Sequence, residues 1–411
     1  MVKKIYTYFP LFLFSGVWCL VVIFSSLNWY NIHSVATDTW ILLGSGLYAF
    51  ISGYLIFTFF DSDFADLTLK RKKVQLDEVL IAKTIVVMCL FSFFGTYLVM
   101  DALGNIAGNG ISTYFSKPID IRRAYVEIQS NPLVPAPLSY KLGSYLINFC
   151  FVANLLGGAL LTSTRKIKWI GLLPLFSAFL TSISIFGRFG IISSLAFLFL
   201  SYLIISFFKP DSERVRLIKN LSVTAVLVVF GLYFLFYYIV LARYSIALDL
   251  QEYFNKTIYF YFSGGVSALD DFLKTNFTHS YGTSSFRSFF KWLARFGLWP
   301  SENINSSYDS FTKVSPSLSI NTYTYIRSLY IDFGITGVVF FSFAWGAGVK
   351  ILLKKVYSNF NILYLYFAII LIYSSLMTFY SFYFESISLV IFWMIPLILF
   401  HGHFKKCFKT V

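Results

Sequence analysis

VLIAKTIVVMCLFSFFGTYLVM (residues 79–100) carries one charged side chain, Lys83, in a run long enough to cross a bilayer. A helical span needs about 20 mostly apolar residues. Lys83 sits near the start of the run, where its stem can snorkel toward the headgroups. Immediately upstream stands Lys70-Arg71-Lys72-Lys73. An apolar run behind a basic cluster reads as a transmembrane helix whose leading end stays in the cytoplasm.

Working outward, nine further stretches have the same character: 8–28, 40–60, 142–162, 169–186, 189–208, 220–241, 328–349, 362–379 and 384–404. Irregular backbone cannot face lipid, so each is expected to be helical. The composition agrees: 57% of the 411 residues are hydrophobic, 21% are aromatic and 13% are charged. Soluble domains carry roughly 25% charged residues. Mean hydropathy is +0.71. The expected fold class is an all-α polytopic membrane protein, with about ten transmembrane helices and one large outer loop containing short helices. The first apolar stretch is too long for a signal-peptide core and reads as a retained helix.

With the N-terminus inside, every inner segment is basic: Lys3 and Lys4, the 70–73 cluster, Arg165 to Lys168, Lys209 to Lys219, Lys350 to Lys355, and Lys405 to Lys409. An even number of spans returns the C-terminus to the same side. The +14 net charge is thus a topology signal and not a nucleic-acid footprint. Three units follow. Residues 1–241 hold seven helices with an outer loop at 101–141, residues 242–327 form the large outer loop, and residues 328–411 hold three helices and a basic tail.

Cys19, Cys89 and Cys150 fall in apolar runs and Cys407 in the tail, which supports neither a disulfide framework nor a metal site. Only His279 lies in the large loop, so histidine-based catalysis lacks parts. No phosphate-cradling glycine motif is present, which argues against direct use of ATP.

The outer segments are richer in arginine than the inner ones. Topology needs only charge, whereas arginine adds a rigid fork that grips phosphate in a bidentate way. Arg188 lies in Phe186-Gly187-Arg188-Phe189-Gly190, at a tight turn between two spans. Arg243 and Arg327 bracket the large loop, and Arg287 and Arg295 lie within it. Each could equally anchor a helix end or pair with an outer acid. In Asn321-Thr322-Tyr323-Thr324-Tyr325-Ile326-Arg327-Ser328-Leu329-Tyr330-Ile331-Asp332, the residues Tyr323, Arg327 and Tyr330 share a helical face. An Arg327–Asp332 pair is the simplest structural account of that segment. The small-residue stretch Tyr261-Phe262-Ser263-Gly264-Gly265 suits close helix packing or close ligand approach.

These stretches, with Tyr281-Gly282, the Phe333-Gly334 and Gly337 glycines and the single large outer loop, resemble the bacterial O-antigen and capsule repeat-unit polymerases, the Wzy family. The resemblance is architectural over most of the chain and rests on short motifs by residue. It implies a metal-independent glycosyltransferase without cofactor on the outer face of the bacterial inner membrane, both termini cytoplasmic. Donor and acceptor would be undecaprenyl-pyrophosphate-linked glycans, with membrane lipid around them and a chain-length regulator as partner.

In that reading Arg188, Arg243 and Arg327 hold pyrophosphate, with Arg287 and Arg295 as weaker candidates. Asp332 is the preferred general base, with Glu385 and Asp249 in reserve, and Tyr323, Tyr330 and Tyr281 face sugar rings. An O-antigen ligase and a lipid-linked sugar flippase or transporter are the competing expectations.

Overall fold

The computed structural model describes residues 2–27, 29–31, 34–59, 74–108, 110, 117–130, 135–185, 187, 189–210, 212–217, 250–275, 277–300, 312–315, 318–320, 323–380 and 394–410. The helices are α1 (Val2–Ser26), α2 (Thr37–Phe59), α3 (Glu78–Ile106), α4 (Pro118–Ser130), α5 (Leu138–Ile147), α6 (Phe149–Leu161), α7 (Leu173–Ser184) and α8 (Phe189–Ser206), then α9 (Leu250–Leu273), α10 (Arg287–Arg295), α11 (Tyr325–Ser358), α12 (Ile362–Leu376) and α13 (His401–Cys407). Four short strands, β1 (Val74–Leu76), β2 (Thr312–Ser315), β3 (Leu318–Ile320) and β4 (Phe408–Thr410), form two antiparallel ribbons, β1–β4 and β2–β3.

The chain is an all-α polytopic membrane protein. Among the described residues six helical stretches are long and apolar enough to cross a bilayer: Tyr6–Ser26, Thr37–Thr58, Glu78–Ile106, Leu138–Leu161, Lys166–Ser184 and Tyr325–Ser358. Gly190–Ser206 and Ile362–Leu376 are shorter apolar helices. The expected span at 220–241 lies outside the described residues, as does the first part of the one at 384–404.

Lipid tails are as apolar as leucine, so helices associate in a bilayer through close packing rather than hydrophobic burial. The tightest seam joins α2 to the second part of α11. A Cβ placed on Gly53 would come 2.1 Å from the Phe343 carbonyl oxygen, and one on Gly346 would come 2.1 Å from that of Phe50. Gly95 of α3 and Gly143 of α5 meet the same way: a Cβ on either would come within 2.7 Å of the other's carbonyl oxygen. Glycine at these points lets backbone lie on backbone, which no other residue allows.

The bundle has two distinct ends. At one end Tyr6 meets Ser206 at 2.9 Å and Tyr357 donates to the Tyr6 carbonyl at 3.4 Å. Near it Val74↔Thr410 and Leu76↔Phe408 pair in the β1–β4 ribbon, and the Asp77 N–H donates to the Cys407 carbonyl at 3.0 Å. The basic tail is therefore stitched to the segment ahead of α3. At the other end lie the α1–α2 connection, α9, α10 and the turn at Gly334. We call this the loop end.

Two features depart from the sequence expectation. The stretch 242–327 was expected to hold short helices, yet α9 runs for 24 residues. Tyr259 stacks on Trp29 and meets Phe24 in the last turn of α1 and Tyr30 just beyond it edge to face, while Asp270 bonds Ala36 and Thr39 at the start of α2. The helix thus bridges the loop-end termini of α1 and α2. Its Ser263–Asp270 stretch is buried throughout, and that burial holds a long helix in place where an exposed loop would not form one.

The second departure concerns the expected span at 328–349. α11 is broken at Gly334, whose φ of 64° and ψ of −160° are outside helical geometry. Tyr325 Oη lies 2.9 Å from Ser342 Oγ, and the Tyr325 ring is 5.9 Å from that of Trp345. In a straight helix residues 325 and 342 would be about 25 Å apart at 1.5 Å per residue. The segment is a hairpin. A half-helix, 325–333, folds back against 335–358 and enters the bundle from the loop end.

Candidate functional site

The half-helix 325–333 gathers most of the described candidate side chains. Tyr325, Ile326, Arg327, Ser328, Leu329, Ile331 and Asp332 are all buried. Its first N–H, at Tyr325, donates to the Thr378 carbonyl at 2.9 Å, just beyond α12. Trp18 of α1 donates to the Thr378 hydroxyl at 3.0 Å, so three elements converge on the half-helix start. From α9, Gly265 approaches the Phe379 carbonyl so closely that a Cβ would sit 2.8 Å from it. Gly264 would likewise crowd Ile320 at 2.7 Å. The small-residue stretch 261–265 is thus a packing seam for the start of the half-helix.

Arg327 is 3% exposed. Its guanidinium carbon lies 3.6 Å from the centroid of the Tyr323 ring and 4.9 Å from that of Phe272. Arginine tolerates such aromatic surroundings because its charge is delocalised and weakly hydrated. Tyr323 is itself fixed, its hydroxyl 2.6 Å from that of Thr312 on β2. An ionisable residue facing the interior of a membrane bundle marks a functional pathway by default, because burial there is expensive. The sequence placed Arg327 at the outer edge of a span. The fold-back at Gly334 instead draws it toward the level of the α11 residues that flank Ser342.

Asp332 is 1% exposed and accepts three hydrogen bonds from the loop 280–285. Ser280 Oγ–H donates to Oδ1, as does the Ser284 N–H at 3.1 Å, and the Ser285 N–H reaches Oδ2 at 2.5 Å. Beside it the Ile331 carbonyl accepts from the Ser280 N–H at 3.2 Å and from His279 Nδ1 at 3.0 Å. A carbonyl only accepts, so this nitrogen carries the ring hydrogen. Asp332 thereby pins the loop 279–285 to the end of the half-helix. Left-handed backbone at Tyr281 (φ 47°) and Gly282 (φ 97°) shapes that loop and turns Tyr281 outward, 78% exposed.

The expected Arg327–Asp332 pair gives way to this arrangement, in which the carboxylate is bonded to loop donors and the guanidinium lies between rings. Three of roughly four carboxylate acceptor positions are taken. That suits an anchor better than a proton acceptor.

The sequence reading missed Asp270 and Lys274. Asp270 Oδ1 accepts from the Ala36 N–H at 2.7 Å and the Thr39 hydroxyl at 2.6 Å, and so caps α2 from a neighbouring helix. Lys274 Nζ lies 2.6 Å from Oδ2. Burial raises the carboxyl's pKa, but the bonds from Lys274, Thr39 and Ala36 outweigh it and hold Asp270 below the usual carboxylate range. The Asp270 hydrogen bond in turn raises Lys274. The four-residue spacing of an acid before a lysine was the available signal.

Of the other candidates, Tyr330 is half-buried with its ring 5.6 Å from Phe277, and Arg287 opens α10. The structure brings Arg327, Tyr323, Tyr330 and Asp332 together on or beside one half-helix. Arg188, Arg243, Asp249 and Glu385 lie outside the described residues, as does the side chain of Arg295. Compared with known proteins, the chain matches no family model, no curated protein and no solved structure.

Proposed function

We propose that this protein is a glycan polymerase of the Wzy type. It joins oligosaccharide repeat units carried on undecaprenyl pyrophosphate at the outer face of the bacterial inner membrane. The observation that carries the reading is Arg327, a buried arginine on a half-helix that enters the bundle from the loop end. In this reading the chain crosses the membrane ten times with both termini cytoplasmic, residues 220–241 and 384–404 supplying two of the crossings. The loop end then faces outward, at the depth where a lipid-linked pyrophosphate sits.

Arg327 stabilises the pyrophosphate leaving group as its charge develops, with Arg188 and Arg243 reaching the same depth. Tyr323 holds the Arg327 guanidinium flat, and the exposed Tyr281 offers a ring face to a sugar. Asp332 positions the loop 279–285 rather than taking the proton. Glu385 or Asp249 takes the acceptor hydroxyl's proton. No metal or cofactor is needed, and a chain-length regulator is the expected protein partner.

An arginine–phosphate bond contributes about 1.5–3 kcal/mol. Arg327→Ala therefore lowers polymerisation about 10- to 150-fold at 1.36 kcal/mol per decade. The test is complementation of a polymerase-null strain, scored by glycan ladders at matched membrane abundance. Arg327→Lys restores less than half of the long-chain signal and Arg327→Ala almost none. Full ladders from Arg327→Ala would overturn the assignment.

A lipid-linked sugar flippase is the second reading, favoured by the broken helix at Gly334, because transporters build sites from discontinuous helices. Deletion separates the two. Glycans stopped at one repeat unit belong to a missing polymerase, and repeat units held on the cytoplasmic leaflet belong to a missing flippase.

A further inference from the structure

α10, Arg287–Arg295, is amphipathic in an unusual sense: much of its apolar surface points away from the protein. Phe289, Trp292 and Phe296 recur at i, i+3 and i+7, and all are exposed, by 46%, 55% and 62%. Trp292 and Phe296 meet each other edge to face, their ring centroids 4.8 Å apart. Leu298, just beyond, is 69% exposed.

The helix is held to the bundle by another side. Phe290 packs against Trp299 at 4.7 Å and lies within van der Waals reach of Gly282. Lys291 lies about 130° round from the centre of the exposed aromatics at 100° per residue. Lys291 is exposed. Three sides therefore have three characters: one against protein, one aromatic and open, one basic.

The height of α10 is fixed by its approach. The Phe286 ring lies 5.9 Å from Phe341, six residues past the start of the second part of α11. That is about 9 Å down the helix. Ile335, Val339 and Phe340, on the same stretch of a membrane-spanning helix, are exposed by 51%, 41% and 66% and so face lipid. α10 therefore starts beside this lipid-facing strip.

We infer that α10 lies in the headgroup layer of the bilayer at the loop end. Phe289, Trp292 and Phe296 enter the acyl boundary, and Lys291 faces the phosphates of anionic phospholipid. Aromatic residues below and basic residues above are the arrangement that holds an interfacial helix in place. A protein partner would need to share the lipid-facing strip with acyl chains. This inference is independent of the enzymatic reading: α10 keeps its place whether the chain polymerises or transports.

The experiment places single spin labels at positions 289, 291, 292 and 296. The background is Cys19→Ser, because the other three cysteines are buried. The whole protein is reconstituted in vesicles of phosphatidylethanolamine with one quarter phosphatidylglycerol. Collision with oxygen reports lipid and collision with a nickel chelate reports water. Labels at 289, 292 and 296 favour oxygen, the label at 291 favours nickel, and replacing phosphatidylglycerol with phosphatidylcholine moves 291 further from the membrane.

Nickel contact at 292 and 296 equal to that at 291 would overturn the inference. Labels at 292 and 296 that are immobilised and closed to both reagents in native membranes would also overturn it, giving the face to a protein. A label that unfolds the helix is bypassed by the conservative Trp292→Phe change. Quenching of tryptophan fluorescence by shallowly brominated lipid must fall in that variant, and unchanged quenching counts against the inference.

Discussion

Gly334→Ala separates a hairpin from a straight span by the sign of its effect. Gly334 has φ 64° and ψ −160°, a region that glycine alone occupies without strain. A Cβ there would meet its nearest neighbour, His279 Cε1, at 3.6 Å, which is ordinary contact. The cost is therefore backbone strain alone, about 1–3 kcal/mol. In a continuous helix the same change would gain about 0.5–1 kcal/mol, because alanine is the better helix former. The assay is thermal unfolding of purified protein in one detergent, against Gly348→Ala as a control in a regular part of the helix. Gly348 has room for a methyl, its closest contact being Leu371 at 3.5 Å. Gly334→Ala lowers the midpoint and Gly348→Ala does not. A paired check is a double-mutant cycle of Tyr325→Phe and Ser342→Ala, whose effects on the midpoint are non-additive only if the two hydroxyls meet. A raised midpoint for Gly334→Ala together with additive effects in the cycle would refute the hairpin.

Three further outcomes follow from the same geometry. Asp332→Ala removes the acceptor of three loop donors, each worth about 1–3 kcal/mol when left unmade. Limited proteolysis then cuts at Arg287 or Lys291 several-fold faster than in wild type while the spans stay intact. Asp270→Asn weakens the cap of α2 and costs about 1–3 kcal/mol, the range for bonds to a charged group. Because the Asp270 carboxyl is held below the unfolded value of about 3.9, its contribution is complete above about pH 5 and is lost as pH falls through the lower folded value. The Asp270→Asn deficit in melting temperature is accordingly full at pH 7 and shrinks below pH 4. Gly53→Leu drives a side chain into the Phe343 carbonyl and abolishes the folded protein in detergent, whereas Gly402→Leu, with open space around it, does not.

Much of the architecture was legible because lipid imposes one rule on every segment: apolar, helical and about 20 residues long. α1, α2 and α3 follow it within a few residues, and nearly all described residues of the expected spans at 142–162 and 169–186 are helical. The hairpin was not legible. Ile331-Asp332-Phe333-Gly334-Ile335 carries the same apolar pattern whether the backbone runs straight or turns. Only Gly334 permits the turn, and a lone glycine in an apolar helix is common. Arg327 and Asp332 stood out by charge, and Tyr323 stood four residues from Arg327, but the other partners lay 55 and 52 residues back, at Phe272 and Ser280. Nothing in the local spacing could show that Asp332 would serve a loop rather than Arg327. α9 escaped notice because its Tyr and Ser content hides a face buried through aromatic stacking.

The β1–β4 ribbon has a consequence for the order of assembly. Residues 408–410 leave the ribosome 332 positions after residue 76, counted as 408 − 76, and only then can β1 find its partner. At about 5–20 residues per second, that leaves the strand ahead of α3 unpaired for roughly 17–66 s. During that time α3 and the helices after it enter the membrane with one end loose. Closure of the ribbon is thus a late checkpoint in biogenesis. Substitutions in Val74–Leu76 should reduce the yield of correctly inserted chain more than the melting temperature of the chains that succeed.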